Sequence, residues 1–246
     1  LVLIKTPFLF QILTQMKRIQ KLVVLSGAGI SAESGLGTFR DSGGLWENYR
    51  IEDVATPEAW RRDKALVLEF YNLRRKVNNA AEPNDAHRLM AELEQHFDVH
   101  IVTQNIDNLH ERAGSTKVLH LHGEITKSKS SGPNQEKAYY DIEGDNIEEG
   151  ELCPEGYQLR PHVVWFGEAV PLLDTAAEIV SQADIFLVIG TSLNVYPAAG
   201  LIHAVSNSCL CFAIDPKDIP VGGRFTHIRQ EAGEGMRMFK RLVAGD

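Results

Sequence analysis

Residues 103–114 read TQNIDNLHERAG and directly follow the apolar run FDVHIV. Gln104, Asn105 and Asp107 put two amides and a carboxylate within four positions at the end of an expected interior strand. Packing alone rarely ends a buried strand this way, so these groups read as a set that holds a polar ligand. A second cluster, VLHLHGE, places His120 and His122 two apart, which on a strand means the same side. Three chemistries suit that pair: structural histidines, metal ligands, or His122 as a general base just before Gly123. A metallohydrolase built on His110, His120 and His122 lacks further obvious ligands. A third stretch, LVVLSGAGISAESGLGTFRDSGGLW, carries Gly27, Ala28 and Gly29 in the loose G-x-G-x-x-G/A pattern that admits a pyrophosphate. That pattern is weak alone. A dehydrogenase would continue into a helix, whereas Gly35, Gly37, Gly43 and Gly44 predict a loop carrying Phe39 and Arg40, which disfavours hydride transfer.

The elements that must position these groups follow from the hydrophobic pattern. Short apolar runs (KLVVLSGAG, DVHIVTQN, VLHLHGE, VVWFGE, DIFLVIGTS, CLCFAID) each end in a polar or glycine-rich turn, as do strands of a parallel sheet buried on both faces. Helix-like stretches lie at 56–79, 84–96, 171–183 and 197–207. In the second of these, Asn84 or Asp85 supplies the cap and Ala86, Leu89, Met90 and Leu93 form one stripe. Alternating strands and helices predict an α/β fold, a doubly wound Rossmann-like parallel sheet with ligands at the carboxyl ends of its strands. Residues 126–159 are polar and acidic without apolar periodicity, and are expected to form a small inserted module. The expected organisation is an N-terminal extension (1–20), a catalytic domain (21–125 and 160–246) and the module (126–159).

Across 246 residues the composition is that of an ordinary globular protein, 43% hydrophobic and 24% charged. The net charge of −8 argues against a nucleic-acid partner that needs a basic surface. Three cysteines (153, 209 and 211) cannot make a disulfide framework and suit a reducing cytoplasm. Cys209 and Cys211 are expected to share one face of a strand as small hydrophobes. The opening LVLIKTPFLFQIL is interrupted by Lys5 and Pro7, so it reads as a packed or frayed extension rather than a signal peptide or membrane span.

Five motifs, GAGISAESGLGTFR, TQNIDNLHERAG, LHGE, RPHVVWFGE and GTSLNVYPAAG, stand in the order and spacing of the sirtuins, the NAD-dependent protein-lysine deacylases. The resemblance covers about residues 20–216 and is closest to CobB-type bacterial members. It implies that Gln104 and Asn105 hold the nicotinamide ribose and a nearby water, and that Asp107, with the Ile106 backbone, holds the carboxamide. It implies further that Gly27, Ala28 and Gly29 face the pyrophosphate, and that Phe39 and Arg40 close over the cofactor. Gly190, Thr191 and Ser192 would contact the phosphate and adenosine half. The implied reaction is attack of the acyl oxygen of a modified lysine on ribose C1′ as nicotinamide leaves. His122 then removes a ribose hydroxyl proton, giving free lysine and O-acyl-ADP-ribose. VVWFGE and LNVYP would flank the substrate backbone as added strands, with Phe166, Gly167 and Glu168 on the substrate side and Phe166 lining the acyl-lysine tunnel.

Tyr71 and Arg74, three apart in EFYNLRRK, share a helix face. By themselves they read as a surface arginine lying over an aromatic ring. They also match the Tyr-x-x-Arg with which one sirtuin class reads acidic acyl groups, which implies desuccinylation or demalonylation beside deacetylation. Two departures from the family stand out. The interval before RPHVVWFGE holds only Cys153, with Ser130 near where a first cysteine would stand, so no structural zinc is expected. Ala213 replaces an asparagine that touches the adenosine ribose in relatives, leaving Ile214 and Asp215 to bracket that region, with Ala232 a match on the adenine side. The alternatives are a sirtuin-like mono-ADP-ribosyltransferase and a catalytically weak NAD or ADP-ribose-binding protein. Acylated-lysine proteins or peptides are the expected partners, and a monomer is favoured.

Overall fold

The computed structural model describes residues 19–37 and 49–245. In chain order these form β1 (Lys21–Ser26), a 3-10 turn (Ala28–Ser34), α1 (Ile51–Val54), α2 (Pro57–Arg62), α3 (Lys64–Ala80) and α4 (Asp85–Glu92). There follow β2 (Asp98–Thr103), α5 (Leu109–Arg112), β3 (Val118–His120), β4 (Gly123–Ser130), β5 (Tyr139–Asp141) and β6 (Leu159–Val163). The chain then runs through α6 (Leu173–Ser181), β7 (Ile185–Ile189), a 3-10 turn (Ala198–His203), β8 (Leu210–Ile214), β9 (Phe225–Ile228) and α7 (Ala232–Ala244). Among the described residues no helix is long and apolar enough to cross a membrane.

Six strands pair in the order β3-β2-β1-β7-β8-β9, every neighbour parallel. The continuous apolar runs are explained by burial on both faces. Leu22 and Val24 of β1 pack to one side with Met90 of α4 and Met236 and Phe239 of α7. Val23 and Leu25 pack to the other with Val180 of α6 and Leu201 and Ile202 of the second 3-10 turn. Each such side chain, fully buried, contributes about 1.5–3 kcal/mol. Cys209 and Cys211 lie in this second cluster as free, buried thiols.

Two helix expectations are refined. The stretch 56–79 breaks at Asp63, whose carboxylate accepts the Leu66 N–H at 2.9 Å and so starts α3 afresh. The stretch 197–207 gives only the 3-10 turn Ala198–His203. Asn84 is the cap of α4, accepting from Ala86 N at 2.9 Å. Its amide nitrogen also donates to Ile30 O (2.7 Å) and Ser34 Oγ (3.0 Å), tying the helix to the glycine turn.

β5-β4-β6 form a separate antiparallel sheet. The segment between β5 and β6 lacks apolar periodicity because polar side chains of α3 hold it. Arg75, 1% exposed, donates to Ile125 O at 2.7 Å and Asp145 O at 2.6 Å. Burial pulls its guanidinium down to about 10. Asn72 pairs with the Ile147 backbone in both directions, at 2.9 and 3.1 Å. The Cys153 thiol donates to Ser130 Oγ at 3.4 Å, so the interval's single cysteine faces the serine that stands near the expected first cysteine position.

Candidate active site

Strand order reverses beside β1, whose neighbours β2 and β7 lead to opposite edges of the sheet. A crevice opens outside the carboxyl ends of strands at such a switch point. Here a cavity of about 970 Å³ lies at the ends of β1, β2, β7 and β8. Its lining includes Gly27, Ala28, Gly29, Gln104, Asn105, Ile106, Asp107, His122, Gly190, Thr191, Ser192, Ile214, Asp215 and Ala232. Tyr71, Arg74, Phe166, Gly167 and Glu168 line the same cavity. Ala213 does not: it is fully buried within β8, one residue short of the opening, and packs into the core on the α6 side of the sheet. Phe39 and Arg40 lie outside the described residues. Asn194 and Tyr196 of the LNVYP motif line the cavity too, as do Ser31, Lys217 and Glu231, which were not singled out from sequence.

The glycine turn has a structural reason of its own. Gly27 N donates to Ile189 O at 3.0 Å and Gly29 N to Gly190 O at 2.8 Å, which locks the end of β1 against the end of β7. A Cβ at Gly29 would sit 2.8 Å from Gly190 Cα, and one at Gly190 (φ +62°) would sit 2.3 Å from Ile30 N. These N–H groups were expected to face a pyrophosphate. The glycines line the cavity and also let two loops meet so closely that their backbones form one of its walls.

The 104–107 segment is held from below. Asn105 N donates to Thr103 Oγ1 at 3.0 Å, and Thr103 Oγ1 accepts from Ser26 Oγ at 2.9 Å. Ser26 Oγ also meets His110 Nε2 at 3.0 Å. The Asn105 amide donates to Gly27 O and Ser31 Oγ, each at 3.2 Å, and Ser31 Oγ donates to Asp107 Oδ2 at 2.9 Å. Asp107 Oδ1 accepts the Leu109 N–H at 3.2 Å. Burial raises the Asp107 carboxyl above the usual range, only partly offset by the bonds from Leu109 and Ser31. Gln104 Nε2 donates to Thr191 Oγ1 at 3.1 Å and so links the ends of β2 and β7.

The two histidines do not share a strand, contrary to the H-x-H expectation. β3 ends at His120, and His122 sits in the turn before β4. The turn still brings both rings under consecutive carbonyls, with His120 Nδ1 2.9 Å from Asn105 O and His122 Nδ1 2.9 Å from Gln104 O. Their charges diverge. Burial would lower His120, but its Nε2 contact with Glu111 Oε1 at 2.8 Å outweighs burial and raises it. Burial lowers His122, and the Gln104 carbonyl opposes this incompletely. A carbonyl only accepts, so Nδ1 carries the His122 proton and Nε2 keeps its lone pair. One imidazole is clamped to Glu111, which raises it; the other is kept neutral by burial, with its proton on Nδ1.

At the other side, Arg74 Cζ lies 5.6 Å from the Phe70 ring and 5.7 Å from the Tyr71 ring. Asp107 is among the charges that act on Arg74. Glu168 lines the cavity, but its carboxylate is occupied by Arg160, at 2.7 and 3.1 Å, and by Trp165 N at 2.8 Å. Among the described residues no group of three or more His, Cys, Asp or Glu is placed to hold a metal ion.

A parallel sheet with a dinucleotide-sized cavity at its switch point, amides and a carboxylate at one end and a neutral imidazole beside them, defines a nucleotide-binding α/β protein equipped for proton transfer. The chain belongs to the Sir2 family, whose model matches residues 27–197. A Bacteroides thetaiotaomicron protein named NAD-dependent protein deacylase is 52% identical over 229 residues, covering 91% of this chain and 98% of that one. The crystal structure of a Sir2 homologue–NAD complex is 38% identical with a TM-score of 0.83, covering 96% of this chain and 94% of that one. A Sir2 mutant with a deacetylated p53 peptide and 3′-O-acetyl-ADP-ribose superposes with a TM-score of 0.76 at 28% identity, covering 96% and 98% of the two chains.

Proposed function

We propose that this chain is an NAD-dependent protein-lysine deacylase that removes succinyl and malonyl groups from lysine, with acetyl groups as further substrates. The observation that carries the reading is that a neutral His122 and the Arg74 guanidinium line one cavity, with Asp107 among the charges acting on that guanidinium. The residues fit the dinucleotide. A cavity of about 970 Å³ is near the top of the usual range for small-molecule sites, and it carries polar groups at both ends, Gln104 to Asp107 at one and Asp215 with Lys217 at the other.

When bound, NAD supplies an electrophilic ribose carbon with nicotinamide as its leaving group. Asp107 and the Ile106 backbone hold the carboxamide, and Gln104 and Asn105 hold the ribose. His122 Nε2 accepts a ribose hydroxyl proton, a role worth about 10²–10⁴-fold in rate. Arg74 and Tyr71 pair the distal carboxylate of the acyl group. The peptide lies between Phe166 and Tyr196, two large side chains 45% and 73% exposed at the cavity mouth. Three free, buried thiols suit action in a reducing cytoplasm.

The test is the relative rate on succinyl-lysine and acetyl-lysine forms of one peptide, with NAD present, for the native chain and Arg74→Met. Faster succinyl removal that Arg74→Met selectively abolishes supports the reading. Equal losses on both peptides, or transfer of ADP-ribose to protein in place of deacylation, would overturn it.

A further inference from the structure

Three successive backbone carbonyls of the 104–107 segment are anchored on one short strip of chain. Gln104 O lies 2.9 Å from His122 Nδ1, Asn105 O lies 2.9 Å from His120 Nδ1, and Ile106 O accepts the Ile125 N–H at 2.7 Å. The middle anchor differs from its neighbours. His122 and Ile125 line the cavity, whereas His120 does not and is buried at the end of β3. A carbonyl only accepts, so His120 Nδ1 carries a proton and donates it to Asn105 O. The other ring nitrogen, Nε2, meets Glu111 Oε1 at 2.8 Å. Glu111 too stays out of the cavity lining.

Glu111 belongs to α5, which is fixed by Leu109, fully buried, and by Arg112, which donates to Asn78 O at 3.3 Å. An imidazole held at both nitrogens has its ring orientation set, so Glu111 aims the Nδ1–H. Burial disfavours the charged form of both partners, yet His120 is raised and Glu111 lowered, each chiefly by its bond to the other. The Asn105 backbone is thus pinned at both polar groups. Its N–H rests on Thr103 Oγ1 at 3.0 Å and its carbonyl on His120, while the residue itself lines the cavity.

We propose that His120, held by Glu111, is a positioning residue that fixes the Asn105 backbone, and with it the ribose-holding side of the NAD site, without touching the ligand. The inference rests on the assignment of Gln104 and Asn105 to the cofactor ribose above and extends it to two residues that act through Asn105. The test is the KM for NAD, the KM for one acyl-lysine peptide and kcat, measured for the native chain and its variants. His120→Leu strands the Asn105 carbonyl and should raise the NAD KM about tenfold, with the peptide KM moving less than about twofold. Glu111→Ala frees the ring and should raise the NAD KM about threefold. Glu111→Gln should restore the native value, because a glutamine amide can donate to Nε2 while Nδ1 keeps its proton. In a His120→Leu background, Glu111→Ala should change the NAD KM less than about twofold, since the group it acts through is gone. A loss confined to folding would lower kcat and leave both KM values in place. That pattern, or a Glu111→Gln variant no better than Glu111→Ala, would overturn the proposal while leaving the deacylase reading intact. The Glu111 side chain is 40% exposed and can be replaced without emptying the core, so its two variants decide the matter even where His120→Leu does not fold. A native chain whose deacylation consumes no NAD would overturn both.

Discussion

His122 Nδ1 lies 2.9 Å from the carbonyl oxygen of Gln104, so one residue of the polar 104–107 segment also fixes the tautomer of this imidazole. This backbone contact leaves Nε2 unprotonated beside the cavity, and it joins the ends of β2 and β3 into one device. Burial keeps the ring neutral below its ordinary value of 6.5.

A pH dependence follows. The active form is the neutral imidazole, so activity is retained as pH falls through 6.5 and is lost only as pH drops through the lowered value. The acid limb of kcat/KM against pH should therefore have its midpoint below 6.5. A midpoint above 6.5 would mean that His122 is charged at rest.

Ser31 joins the two halves of the polar segment, accepting from Asn105 Nδ2 at 3.2 Å and donating to Asp107 Oδ2 at 2.9 Å. Ser31→Ala leaves a buried carboxylate with one bond fewer. The loss should weaken NAD binding by about 1.5–3 kcal/mol, the range for hydrogen bonds to charged groups. Calorimetric titration with NAD checks this; unchanged affinity would show that Asp107 does not touch the ligand.

Arg74→Met removes the cation and keeps a long apolar stem. The succinyl kcat/KM should fall by about 10–100-fold relative to the acetyl value. Peptide assays by mass spectrometry read the ratio directly, and a constant ratio would detach Arg74 from acyl recognition.

The buried pair His87 and His110, ring centroids 5.0 Å apart, makes stability sensitive to acid. Burial lowers His87 to about 4 and His110 well below 6.5, so the unfolded chain binds protons first as pH falls from 6.5. Stability should drop by up to about 1.4 kcal/mol per pH unit for each ring, with the His87 share levelling off near pH 4. Denaturant midpoints from pH 7 to 4 test it. In His87→Gln the slope should be shallower; an unchanged slope would assign the acid sensitivity elsewhere.

The parallel sheet was legible because strands buried on both faces leave an unbroken apolar run, as in Leu22–Leu25 and Ile185–Ile189. The place of the 104–107 segment in the cavity wall was legible because Gln104, Asn105 and Asp107 make no sense as core. Other features hid behind contacts distant in sequence. The second sheet is carried by polar strands such as Thr126–Ser130, and by Arg75 reaching Ile125 and Asp145 from α3. Ser31 gave one signal, a hydroxyl in a turn of mostly small residues, but its partners lie 74 and 76 positions away. Distance in sequence also hid the close approach of Gly29 and Gly190, while the pairing of Glu111 with His120, which raises that imidazole, depends on the turn between α5 and β3.

The most direct test of the whole account is the stoichiometry of nicotinamide and free-lysine peptide formed from NAD and a succinyl-lysine peptide, in the native chain and in His122→Ala. The account predicts one nicotinamide per deacylated lysine, and a loss of at least about 10²-fold in free-lysine formation when the imidazole is removed. Deacylation without consumption of NAD, or a His122→Ala variant that forms free lysine at the native rate, would contradict it.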